Sequence, residues 1–544
     1  DYFFPSMRYG FQKGKWDFFA TADFVHDRVG IENTTPSFNA PHDLSNQYHF
    51  LGHARYTMDE NTRISFIAGV SNAEYQLPNN PGLQTQFVMP SYSGSDLAHH
   101  LSGSTDSAAL NEHQKQITDF AVLALQKEIG KFSLQDSVFA RYSSLRYSPD
   151  WLGDLVYNGI AQQAARSVFS MGTQHDVTWR AAPRHTVRFG FQVFVERTTS
   201  KTMSSVFRQT GESEDGDAIF DPQPVTIYDG SGKTGMVYGL YAQDEWRPTD
   251  NLTINYGLRF DGVSEYTSEN QVSPRINVVW KPWRGGVLHA GYSRYFTPPP
   301  FEVVGTSSLN RFAGTSAAPN NYLSTKVKAE RDHYFDAGIE QSILPGWRVS
   351  FDAYYKLAHN LIDEGQFGAP IILSGFNYRR GQVNGYEFST SYTHGPLSLY
   401  GNFAWSRAIG KDITSAQFNF SDEDLAYIHN RWIPLDHDQR WTASAGATYT
   451  AFGKTRFPLQ LSATMLYGSG LGGVLPPYAT VNFSAVQTIH NTFGGLWHGD
   501  TQLRLDVINL GDHTYMLRDG TGIGVGAPQY GLRRTILCGI AQGF

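Results

Sequence analysis

The chain has 544 residues, 14 % of them aromatic, with a net charge of −7 and a pI near 6.2. The charge is dispersed, without the basic stripe of a nucleic-acid-binding face, and the single Cys538 excludes an intramolecular disulfide and suits no Cys-based metal site. The longest fully apolar run, Phe120 to Leu125, is far short of the about 20 residues a spanning helix needs.

Asp1-Tyr2-Phe3-Phe4 lacks a charged segment followed by an apolar core, so no signal peptide opens the chain and a processed or truncated start is expected. Beyond this start, long stretches of the chain alternate with period 2. In Val187–Val195 the odd positions are apolar, and in Leu252–Phe260 the even ones. Trp441, Ala443, Ala445, Ala447 and Tyr449 alternate with Thr442, Ser444, Gly446, Thr448 and Thr450. Such a strand has two unlike faces. A soluble sandwich also alternates, but its strands run about 5–6 residues, and these run longer.

Tight turns rich in Gly, Pro, Asp and Asn fall at 13–15, 58–62, 129–131, 182–184, 248–251, 284–286, 344–346, 394–396 and 453–454. Between them lie long polar segments at 27–46, 74–114, 144–166, 201–232, 297–327, 409–437 and 513–528. Short turns alternating with long loops are the signature of an outer-membrane barrel, with turns toward the periplasm and loops outside. The fold expected is therefore all-β, a transmembrane antiparallel β-barrel filling residues 1–544 as one domain.

About 21 strands are countable. They start near residues 7, 16, 47, 62, 115, 131, 167, 186, 234, 251, 271, 286, 328, 347, 374, 396, 438, 456, 478, 500 and 529. Single-chain bacterial barrels have an even number, so one strand before Asp1 is expected to be missing. That gives about 22, the size class with a plugged lumen. The aromatic end, Phe544, and Tyr530 read as a signal for barrel assembly.

Several segments resemble the TonB-dependent outer-membrane receptors. Tyr241–Asp261 resembles that family's mid-barrel hairpin. Ser273-Pro-Arg275 with Tyr292–Pro298, Lys328–Arg331 with Phe335–Glu340, and Asn384–Phe388 resemble the segments after it. Asp506–Tyr515 and Tyr530–Arg534 resemble its closing motifs, with Leu532-Arg533 where Gly is common. They occur in family order over roughly 230–544; residues 1–230 fit by architecture. The resemblance implies an outer-membrane active transporter of a scarce ligand: a ferric siderophore, haem, cobalamin, another metal chelate or a glycan. It implies energy from the TonB complex through an N-terminal plug, and that plug has no counterpart in this sequence. Implied partners are outer-membrane lipids and lipopolysaccharide, the barrel-assembly machinery at the C-terminal strand, and the substrate. No cofactor, nucleic acid or enzymatic activity is implied, and a monomer is expected.

The resemblance places ligand binding between the extracellular loops and the plug. His99, His100 and His113 share one loop, and neutral imidazole is the commonest metal ligand; the ordinary reading is solvated histidines. Tyr92, Trp151, Tyr157 and Tyr322 are loop aromatics able to stack on a flat ligand or to pack the loops. The acidic run Asp422-Glu423-Asp424 reads first as a solvated loop. Arg188, Glu196, Arg259, Arg504 and Asp506 fall on the polar phase of their strands. They are expected to line the lumen, because a charge facing lipid costs about 2–4 kcal/mol near the midplane. Gly520–Gly526 looks like a dinucleotide loop but no helix comes after it, and Gly232-Lys233-Thr234 lacks the upstream Gly of a phosphate loop. A passive channel without a plug is the main alternative; a barrel enzyme or soluble hydrolase would need a catalytic constellation that the sequence does not display.

Overall fold

Twenty-one strands form a nearly closed antiparallel barrel in the computed structural model. It describes residues 1–29, 33–87, 89, 106–301, 306–366, 373–472, 474–490, 499–520 and 527–543. The first eight barrel strands are β1 Ser6–Lys13, β2 Trp16–Asp27, β3 Ser45–Asp59, β4 Thr62–Leu77, β5 Glu112–Ile129, β6 Phe132–Ser148, β7 Ile160–Ala182 and β8 His185–Val206. Next come β9 Val225–Thr249, β10 Leu252–Ser264, β11 Ser268–Trp280, β12 Gly286–Thr297, β13 Glu330–Leu344, β14 Trp347–Gln366, β15 Leu373–His394 and β16 Leu397–Ile413. The last are β17 Trp441–Ala451, β18 Leu459–Gly468, β19 Tyr478–Ile489, β20 Thr501–Ile508 and β21 Thr535–Gln542. Each strand pairs with the next in sequence, from Ser6↔Asp23 in the first pair to Ile508↔Thr535 in the last.

Alternation sorts the side chains into two faces. On β8 and β9, Phe189, Phe191, Val195 and Leu240 point outward and are exposed. Arg188, Gln192, Glu196 and Tyr241 take the other phase and face the lumen. At the short-turn end the outward face carries Trp16, Trp179, Trp246, Trp280 and Trp347, all exposed, which makes an aromatic girdle. The tight turns there use glycines in the left-handed region, such as Gly130 at φ 58° and Gly346 at φ 83°.

The buried apolar clusters lie at the long-loop end, among the loops and the strand ends that rise to meet them. One gathers Leu309, Phe312, Phe376, Tyr378, Phe418 and Ile428. A second gathers Leu110, Leu155, Val156, Tyr157 and Phe207, and a third, smaller one Leu77, Tyr147 and Ala164. Three short helices serve them: α1 Gly153–Asn158, α2 Asp422–Ile428, and between these the helix Thr306–Arg311, which carries Leu309. The run Asp422-Glu423-Asp424 is thus the first turn of α2. Ser421 caps it with Asp424 in a reciprocal capping box, and acidic side chains suit a helix N-terminus.

Three differences from the sequence-based expectations stand out. β7, β8 and β9 begin or end well inside the segments read as loops, at Ile160, Val206 and Val225. Beyond the lipid the outward face need not be apolar, so alternation fades while the hydrogen-bonded ladder continues. Tyr530 is not in the terminal barrel strand: it pairs with Met516 in a small separate hairpin, and the last strand starts at Thr535. Phe544 lies outside the described residues. Finally, not every charge in the wall faces the lumen. Asp136 and His175 stand on the outward face beside Val138 and Phe191, joined Oδ1 to Nδ1 at 2.7 Å. Thr173 Oγ1 lies 2.8 Å from the other ring nitrogen. Pairing and hydrogen bonding offset the desolvation that makes a lone charge costly there.

Candidate functional site: the extracellular mouth

The strands that rise past the lipid hold the loops over the barrel opening. A cleft of about 350 Å³ sits inside the mouth between opposite walls. Gln116, Thr118, Arg141, Ser143 and Arg166 line it from β5–β7, and Pro300, Glu364 and Gly375 from the far side. Arg141 Nε donates to Ser143 Oγ at 2.9 Å, which fixes the guanidinium along its strand. Two guanidiniums against one acid, with several hydroxyls, give the recess a net positive charge suited to a ligand with anionic oxygens. A second cleft of about 230 Å³ lies among the outer loops, lined by Pro434, Asp436, His437, Val474, Arg518 and Asp519. In it Arg518 and His437 nitrogens are 3.1 Å apart.

Beside the first cleft the loops are fastened by a buried acidic group. Glu112, Asp150 and Asp154 are all nearly inaccessible, at 0 %, 3 % and 2 % exposure. Asp154 accepts from Asp150 N at 2.9 Å and from Asn158 Nδ2 at 3.1 Å. Among the described residues neither Glu112 carboxylate oxygen has a partner in good hydrogen-bond geometry. Burial, and then the neighbouring negative charges of Glu112 and Asp150, push the Asp154 carboxyl well above the usual carboxylate range. Asp154 therefore holds its proton where an exposed aspartate would lose it.

The loops nearest the ends of the chain are held by the opposite effect. Arg533 grips Asp512 through two nitrogens, at 2.9 and 2.6 Å, and Arg534 N donates at 2.9 Å. These contacts hold the Asp512 carboxyl well below its ordinary value. Arg533 also donates to Pro36 O at 2.6 Å and lies 4.2 Å from the Phe38 ring centre, so the last loop is tied to the first.

The residues proposed from sequence are dispersed. Tyr92, His99 and His100 lie outside the described residues. His113 is exposed at the foot of the second loop, 2.7 Å from Asn111 Oδ1 and edge-on to His42. Trp151 and Tyr322 are exposed on separate loops, at 39 % and 44 %. Tyr157 is 1 % exposed inside an apolar cluster, so its ring packs the loops and offers no open face. Among the described residues no three His, Cys, Asp or Glu side chains stand at metal-holding spacing. On the inward face Arg188 meets Glu245 at 3.3 Å, Arg259 meets Asp261 at 2.7 Å and Arg504 meets Asp506 at 2.6 Å. Glu196 accepts from Ser170 Oγ at 2.7 Å. Arg141 and Arg166 were not among the candidates from sequence, because the cleft they share with Glu364 is built from strands far apart in the chain. The polar phase of their strands was the available signal.

A TonB dependent receptor-like β-barrel family model matches residues 5–510. The chain belongs to that family. Its members are outer-membrane receptors and transporters, which places this barrel in the bacterial outer membrane. Among solved structures it is similar to the FrpB iron transporter from Neisseria meningitidis, F3-3 variant. That match has a TM-score of 0.67 at 13 % identity and covers 98 % of this chain and 78 % of the other. BauA, the ferric preacinetobactin receptor from Acinetobacter baumannii, matches with a TM-score of 0.66 at 11 % identity, over 99 % of this chain and 77 % of its own. The copper transporter OprC matches with a TM-score of 0.66 at 12 % identity, covering 99 % and 78 %. No curated protein sequence matches.

Proposed function

We propose that this TonB-dependent receptor barrel takes up a scarce metal chelate carrying anionic oxygens, with energy delivered by TonB through a plug domain. The observation that carries the ligand class is the mouth cleft, where Arg141 and Arg166 face inward among Ser and Thr hydroxyls. Guanidiniums bind carboxylate and similar oxygens through paired N–H donors. The described residues offer no metal-holding group of their own, so an already chelated ion suits the recess better than a bare one. The similar structures, an iron transporter, a ferric preacinetobactin receptor and a copper transporter, agree with a metal-bearing cargo.

The test is uptake by cells carrying the full-length receptor as their only route for radiolabelled ferric citrate and ferric catecholates. We expect saturable accumulation that a protonophore abolishes, and Arg141→Gln with Arg166→Gln raises the half-saturating concentration about tenfold or more. Accumulation that survives the protonophore and rises linearly with concentration would make the barrel a passive channel instead.

A further inference from the structure

Charge is unevenly spread around the inner wall. Residues opposite each other in a ladder share a face, so the inward phase passes strand by strand from Tyr241 and Arg259 to Asn402 and Ser444. On β8–β10 it carries the matched pairs of Arg188 with Glu245 and Arg259 with Asp261. On β13–β15 acids take over. Asp336 and Asp352 share one imidazole, His289, at 3.6 and 3.2 Å, and Glu387 stands opposite Asp352 on the next strand.

On β16–β19 charge disappears. Over 398–408, 442–450, 460–468 and 480–488 every inward residue is neutral, and most carry a hydroxyl or an amide. These groups satisfy one another within the wall. Asn402 Nδ2 donates to Ser444 Oγ at 3.1 Å, and the Thr448 and Ser462 hydroxyl oxygens are 3.0 Å apart. The Tyr400 ring lies over Gly446, where an added Cβ would run into it. The second cleft of the mouth sits at the outer end of this wall. Its Leu435 donates from N to Ala408 O at 3.0 Å, and its Gly472 from N to Asp438 O at 2.9 Å, just ahead of β17.

An anionic chelate moving inward would meet three unlike walls. Guanidiniums bind its oxygens through paired donors and hold it. The acids of β13–β15 repel it. Hydroxyls and amides exchange hydrogen bonds between water and solute at small net cost, so they wet a solute without trapping it. Transit needs contacts weak enough to release what they bind. We propose that the cargo crosses the barrel along the neutral wall of β16–β19, below the second cleft. Capture and transit then lie on different sides of the lumen: Arg141 and Arg166 hold, and the hydroxyl-lined wall lets go. The inference rests on the anionic cargo proposed above.

The test uses the full-length receptor with Cys538, which is exposed on the lipid side, changed to Ser. Single cysteines are placed on the passage wall by Asn402→Cys, Ser444→Cys and Thr464→Cys. Ser137→Cys, Gln192→Cys and Ser293→Cys place them on the inward phase of β6, β8 and β12. Heat-modifiable gel mobility verifies that each variant is folded. Energised cells are treated with an anionic methanethiosulfonate, and labelling rate, surface binding and uptake of ferric citrate are measured. We expect the passage set to label about tenfold faster than the other set. Adducts on the passage set lower uptake about tenfold and leave surface binding unchanged, whereas adducts on the other set lower uptake less than about twofold. Equal labelling of the two sets, or equal block by their adducts, overturns the passage. Labelling does not depend on the chelate: faster labelling of the passage set in cells that accumulate no ferric citrate keeps the passage and removes only the proposed cargo.

Discussion

The inward and outward faces of the same strands solve the problem of charge differently. Inward, cations are matched within the wall: Arg188 with Glu245, Arg259 with Asp261, Arg504 with Asp506, Arg55 with Asp17 at 2.9 Å. Outward, charge is confined to two kinds of place. One is a pair that neutralises itself, Asp136 with His175 or Asp244 with His185. The other is the outer rim, at the level of Tyr142 and beyond, where Asp119, Arg146, Arg197 and Lys201 stand outside any ion pair of the described residues. Water in the lumen tolerates a charge anywhere, and the protein adds a partner for order. Lipid tolerates none alone, so charge appears only with a partner or beyond the hydrocarbon.

The contrast is broken most severely by a single charge in the lipid band. Leu240 is 55 % exposed on the outward face, opposite the equally outward Phe191. Leu240→Arg lowers stability in bilayers by about 2–4 kcal/mol, measured by urea titration of folding into lipid vesicles. Gln192→Arg, in the same region but inward, changes it by less than about 1 kcal/mol. Equal costs would mean that the two faces are wrongly assigned. The Asp136–His175 pair sharpens the point. Asp136→Leu alone strands an imidazole in lipid and costs about 1–3 kcal/mol, whereas Asp136→Leu with His175→Leu recovers most of the loss. Additive losses would contradict mutual compensation.

How much of this was legible depends on whether lipid or loop packing dictates the residue. Lipid demands apolar side chains in one phase, so Val187–Val195 and Leu252–Phe260 announced strands and faces at once. Where Gln162–Arg166 and Lys201–Val206 rise into water that demand ends, and strand sequence looks like loop sequence. The mouth was less readable still. Arg141, Arg166 and Glu364 line one cleft from separate parts of the barrel, and Glu112 and Asp154 meet only because α1 folds over β5. No spacing along the chain encodes either meeting. Tyr157 shows the same limit: an aromatic in a polar segment reads as surface until the loop closes over it.

The buried acid extends the comparison to the loops and fixes a sign. Asp154 keeps its proton in the folded loop, because burial and Glu112 raise its pKa, whereas in an opened loop it ionises near its ordinary value. The contribution is therefore fully present below about pH 3.9 and fades as pH rises toward the raised folded value. Asp512 runs the other way. Its pKa is depressed by Arg533, so its contribution is present above about pH 3.9 and lost as pH falls. Hydrogen exchange measured from about pH 3 to about pH 8 should show α1 opening more readily as pH rises, and Asp154→Asn should flatten that slope. A slope unchanged by the substitution would remove Asp154 as its source.

The smallest effect falls where the inward face is most orderly. Arg188 and Glu245 are 3.3 Å apart, with side chains 38 % and 17 % exposed, and Glu245 is shared with Arg247 at 2.5 Å. In a water-filled lumen such a pair gains little beyond what solvent supplies, and Glu245 keeps a second cation when Arg188 is lost. Arg188→Gln should therefore cost about 0.2–1 kcal/mol in vesicle unfolding, and less as salt is raised. A loss several times larger and indifferent to salt would mean that this stretch of the lumen is dry in the intact receptor. The inward pairs would then face packed protein, which is what a plug seated against β8 and β9 would create.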